Sequence, residues 1–125
     1  MEQPTASMLV IGDELLSGRT HDANMHHLAN ELTEIGINLS EARFIRDDDD
    51  AIVSNIIELR TKFDYLFTSG GIGPTHDDIT TDCVAKAFGR QVSVRSDAFK
   101  ILKKYYDEKG IELNEARLRM ARIPE

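Results

Sequence analysis

Apolar positions along this chain alternate between two spacings. Met8-Leu9-Val10-Ile11 is a continuous apolar run closed by Gly12, the pattern of a strand buried on both faces. From His21 to Gly36 the spacing becomes helical, with Met25, Leu28, Ala29, Leu32 and Ile35 on one face. Thr20 or Asp22 caps its start, and Gly36 suits a left-handed stop. Ile37 to Ile45 reads as a second strand, interrupted by Asn38, Ser40 and Glu41. A carboxylate from the run Asp47–Asp50 then caps a helix carrying Ile52, Val53, Ile56, Ile57 and Leu59 to near Lys62. Tyr65-Leu66-Phe67 is a third strand.

After it come Gly70, Gly71 and Gly73, then Pro74-Thr75 and the adjacent pair Asp77-Asp78. Val84, Ala87 and Phe88 mark a helix that Gly89 stops. Gln91 to Val94 reads as a short strand, and Asp97 to Lys109 as a helix capped by Ser96 and ended by Gly110. Glu115 to Ala121, capped by Asn114, forms a last short helix bearing Arg117 and Arg119, with Arg122 just beyond; these arginines read as a solvated face. Met1 to Ala6 reads as a polar, loose stretch. Strands alternating with helices imply a mainly parallel sheet with helices on both faces.

In such a sheet ligands bind outside the carboxyl ends of the strands. That edge gathers Gly12, Asp13 and Glu14, then Asp47, then the Ser69–Asp78 loop. Glycines let a backbone approach a ligand, and a helix start offers unpaired N–H groups to a phosphate. Asp13, Asp47 and Asp78 make three acidic stations beside it, the arrangement expected if a divalent ion such as magnesium mediates anion binding. The loop departs from the P-loop, which needs Lys-Ser/Thr after its glycine where this chain has Pro74-Thr75, and from the dinucleotide fingerprint, which needs a further glycine. His21, His26 and His27 lack the i, i+4 pairing of a metal site and read as surface residues.

With 125 residues the chain has the size of one domain, residues 1–125. A net charge of −7 excludes general nucleic-acid or anionic-membrane binding. Cys83, the sole cysteine, reads as a packing residue and fits a reducing cytoplasm. No apolar run approaches the ~20 residues of a membrane span.

The segment TSGGIGPTHDDITTDCVAKAFG, with IGDELLSGRTHDAN before it, resembles the signature of the molybdopterin-binding (MoaB/MogA-like) domain family, in its CinA-like branch. The resemblance covers nearly the whole chain. It implies a three-layer α/β/α sandwich and a homo-oligomer, dimeric or trimeric. It implies a pterin or nucleotide ligand and metal-dependent phosphoanhydride chemistry, either molybdopterin adenylylation or cleavage of ADP-ribose- or FAD-type pyrophosphates. A non-catalytic pterin- or nucleotide-binding module is the alternative. By motif position Asp78 and Asp47 become catalytic candidates. Ser69, Gly70, Gly71, Gly73, Thr75 and Asp78 match the phosphate-holding loop, and Gly12, Asp13 and Glu14 the first-strand acidic motif. Asp13, Asp47 and Asp78 are the metal candidates. Asp82 stands where the family commonly has glutamate. The family normally continues into a further strand and loop, so the chain reads as truncated at its C-terminus.

Overall fold

The computed structural model describes residues 3–125 and is an α/β fold with a parallel sheet. The chain divides into two compact units, one ending at Gly70 and the other running from Gly71 to Glu125.

In the first unit β1 (Thr5–Ile11) lies between β2 (Asn38–Ile45) and β3 (Tyr65–Ser69), parallel to both. Ala6 to Ile11 are all buried, as a central strand requires. The strand starts earlier than its apolar run because Thr5 is held by Asp64, whose carboxylate accepts the Thr5 N–H at 2.8 Å. Thr5 and Ala6 therefore belong to the sheet rather than to a loose stretch, and the part of that expectation that concerns Met1 and Glu2 lies outside the described residues. Ser7 is buried with them, and its hydroxyl makes no hydrogen bond. Between the strands run α1 (Asp13–Leu16), α2 (Asn24–Glu34) and α3 (Asp49–Lys62). The side chain of Asp48 caps α3 by accepting the Ala51 N–H at 3.0 Å. Ile52, Ile56 and Leu59 of α3 are fully buried and join Leu9 and Ile11 in the core. The one-turn α1 escaped the sequence pattern because four residues are too few to show a period.

The second unit begins with the loop Gly71–Ile79 and continues as α4 (Thr80–Phe88), β4 (Val92–Val94), α5 (Ser96–Lys109), α6 (Glu115–Leu118), a 3₁₀ turn (Arg119–Ala121) and β5 (Arg122–Pro124). Gly89 and Gly110 stop α4 and α5 in the left-handed region, as expected. The buried face of α4 is Thr80, Cys83, Ala85 and Ala87, while Phe88 is 46% exposed, so the apolar face is rotated from the one its largest residues suggest. Cys83 is a packed residue. Ser96 is already helical and caps nothing; Asp97 instead accepts the Ala98 N–H at 2.8 Å. β5 pairs antiparallel with β4, a partnership three residues long and invisible to periodicity. Among the described residues no helix is long and apolar enough to cross a membrane.

Candidate functional site

The parallel strands of the first unit bring their carboxyl ends to one edge. Gly12 extends the β1–β2 ladder by one bond, donating its N–H to Ile45 O at 3.1 Å. Asp13 then opens α1, and its Oδ1 accepts the Asp47 N–H at 3.0 Å. The first- and second-strand acids are thus neighbours, with Asp13 fixing the turn that carries Asp47. Both side chains remain exposed. They line a depression of about 440 Å³ with Leu16, Ser17, Arg46 and Asp48, where Arg46 is one cation against three carboxylates and pairs with Asp48 at 3.8 Å.

At the end of β3, Gly70 has φ +95°, and a Cβ there would lie 2.0 Å from Ile11 O. Glycine is required twice over, by the backbone angle and by the strand it crosses. Before it, Ser69 Oγ accepts a hydrogen bond from Asn24 Nδ2 at 2.7 Å. Asn24 begins α2, where Asp22 accepts the Met25 N–H at 3.0 Å, so a capped helix start is tied to the end of β3. Glu14, Thr20, His21, Asn24, Ser69 and Gly70 surround a cavity of about 270 Å³. Asn24 was not singled out by the sequence, although it closes the IGDELLSGRTHDAN motif. His21 lines this cavity.

Further along the loop, Gly71 has φ +68°, and a Cβ there would meet Thr80 Oγ1 at 2.1 Å. Its carbonyl accepts the Thr80 N–H at 3.0 Å, binding the loop to the first turn of α4. Asp78 turns inward on this loop. Its Oδ2 accepts the Thr75 N–H at 3.0 Å and the Thr75 hydroxyl at 2.9 Å, while the Asp78 N–H returns to Thr75 O at 3.1 Å. Partial burial pushes the Asp78 carboxyl pKa up. Hydrogen bonds from Thr75 and the Gly73 N–H, helped by the positive charge of Arg119, outweigh it and hold the group below its ordinary value. Gly73 leaves room for this carboxylate, since a Cβ there would lie 2.8 Å from Asp78 Oδ2. Asp77 is exposed beside His76.

The arginines expected on a solvated face have structural partners. Arg119 donates to Thr75 O at 3.1 Å and to Asp78 O at 3.4 Å. Arg122 pairs with Asp82 at 2.6 Å, and Arg117 donates to Glu112 O at 2.7 Å while lying over the Tyr106 ring. Pairings forty residues apart leave no trace in local spacing. Among the described residues, no group of three or more His, Cys, Asp or Glu side chains is arranged to hold a metal ion.

The parallel sheet with its intervening helices defines an α/β fold. Residues 7–121 match the family model described as "Probable molybdopterin binding domain", and the chain belongs to that family. It superposes on CinA from Thermoplasma acidophilum, described as of unknown function, with a TM-score of 0.84 and 35% identity, covering 98% of this chain and 71% of that one. It also superposes on the tungsten cofactor synthesizing protein MoaB from Pyrococcus furiosus with a TM-score of 0.66 and 21% identity, covering 88% and 67%, which shows the fold alone. In sequence it is 42% identical over 127 residues to a protein of Pyrococcus abyssi, covering 95% of this chain and 50% of that protein. A "Probable FAD synthase" of Caenorhabditis briggsae is 36% identical over 115 residues, covering 89% of this chain and 22% of that protein. The chain spans about half the length of the first curated relatives it matches.

Proposed function

We propose that the carboxyl edge of β1, β2 and β3 binds a phosphate-bearing pterin or nucleotide, and that the acids there support metal-dependent phosphoanhydride chemistry on it. The observation that carries the reading is Gly70, which lines a cavity with Asn24 and Ser69 at a point where Ile11 O leaves no room for a side chain. Close backbone approach of this kind suits a phosphate. Membership of the molybdopterin family supports a pterin, and similarity to a segment of a probable FAD synthase supports a nucleotide diphosphate.

Asp13 and Asp47 fit a magnesium ion held mainly by the ligand, because magnesium commonly takes one or two carboxylates and completes its shell with water and phosphate oxygens. An ion held there would supply neutralisation of phosphate charge and polarisation of the P–O bonds. The chain's own groups orient the reactant. Asn24 and Ser69 fix the cavity wall, and Asp13 fixes the turn bearing Asp47. We also place the protein in the cytoplasm, a reducing compartment that suits a chain with the single cysteine Cys83, and in a homo-oligomer, for which exposed Ile101 and Tyr105 on α5 offer apolar surface.

Calorimetric titration with FAD, ADP-ribose and molybdopterin, each with and without magnesium and followed by product analysis, tests the reading. Binding of at least one ligand is expected, tightened by magnesium in the wild type but not in the double variant Asp13→Asn/Asp47→Asn. Absence of binding by all three ligands overturns the site, and binding without turnover reduces the function to capture.

A further inference from the structure

We infer that Arg119 is a positioning residue that holds the Gly73–Asp78 loop in its ligand-competent shape. Three observations within the second unit meet here. The loop's fold is closed by one carboxylate, with Asp78 Oδ2 accepting both the Thr75 N–H and hydroxyl. The two carbonyls flanking that closure, Thr75 O and Asp78 O, both accept from the Arg119 guanidinium, through Nε at 3.1 Å and Nη2 at 3.4 Å. The loop has no regular secondary structure to support it, and Pro74 has no N–H to lend.

Arg119 is itself well anchored. It begins the 3₁₀ turn, and three residues later Arg122 is locked to Asp82 by a two-pronged contact at 2.6 and 3.5 Å while pairing with Val94 in the β4–β5 ladder. The same short segment therefore grips the loop through Arg119 and the helix after it through Arg122. A planar guanidinium reaches two carbonyls from one fixed stem, which a lysine ammonium does not reproduce. Its charge also offsets that of Asp78 within the loop. Arginine at this position therefore links the C-terminal turn to loop shape.

The inference rests on the proposed ligand site for its functional consequence, but the clamp can be tested without ligand. Backbone amide hydrogen exchange of the whole protein is compared between wild type, Arg119→Gln and Arg119→Lys. In Arg119→Gln the amides of Gly73, Thr75 and Asp78 are expected to exchange at least tenfold faster and those of α4 and α5 to stay unchanged. Arg119→Lys is expected to leave most of that protection lost. Unchanged loop exchange in Arg119→Gln overturns the clamp. The affinity for ADP-ribose or FAD is then measured in the same variants. A loss of tenfold or more in Arg119→Gln ties the clamp to the site, whereas faster exchange with unchanged affinity overturns the positioning role. A wild type that binds none of FAD, ADP-ribose and molybdopterin but shows the exchange effect refutes the ligand reading alone. Milder Arg119→Lys keeps the test open should Arg119→Gln unfold.

Discussion

Gly70→Ala isolates the physical demand at the centre of the proposed site. At φ +95° a side chain is disfavoured before any neighbour is considered, and a left-handed non-glycine residue costs about 1–2 kcal/mol. The added Cβ would also sit 2.0 Å from Ile11 O, and that atom is backbone of the central strand with both sheet partners engaged. Either the loop or β1 must move by roughly 1 Å, and forced backbone shifts in a packed region cost about 1–3 kcal/mol. The total is about 2–5 kcal/mol. Gly36 makes the control. It has φ +83° in the same unit but nothing within 4 Å of the added atom, so Gly36→Ala carries the strain alone. With a urea slope of about 1.5 kcal/mol/M, Gly70→Ala should unfold at a midpoint roughly 1–2 M lower than Gly36→Ala. Equal midpoints for the two variants would refute the claim that the Ile11 crossing, rather than backbone angle, fixes this glycine.

Two further outcomes concern stability. Asp78 is held below the ordinary aspartate pKa, so the stability it contributes is complete above that value, about 3.9, and is lost as pH falls through the lowered value. Unfolding free energies measured across the acid range should therefore fall more steeply below about pH 4 in the wild type than in Asp78→Asn, and parallel curves would remove the linkage. Ser7→Ala removes a buried hydroxyl that has no hydrogen-bond partner, so stability should be unchanged or rise by up to about 1 kcal/mol. A clear loss in urea unfolding would show that the hydroxyl is bonded after all.

Much of the site was legible because its signals are local. Gly12, Asp13 and Glu14 follow an unbroken apolar strand, Asp47 follows the second strand, and Ser69 with Gly70 ends the third. Parallel alternation then places all of them at one edge. Asp48 capping α3 and Gly89 stopping α4 are equally local, since each acts within a turn of its own helix. Residues whose role depends on distant partners were not legible. Asn24 gains its role only by meeting Ser69, and Arg119 only by meeting Thr75 and Asp78.

The sequence by itself determined the order of strands and helices, the family, and the strand ends at which Gly12, Asp13, Asp47 and Gly70 stand, because hydrophobic period, capping and glycine placement act over a few residues. Only the tertiary structure decided how those acids are used. Asp13 bonds to the turn that carries Asp47, and Asp78 bonds inward to its own loop, because a carboxylate accepts whatever donor the fold brings within 3 Å. That donor is set by packing between segments far apart in the chain, and no local spacing encodes it.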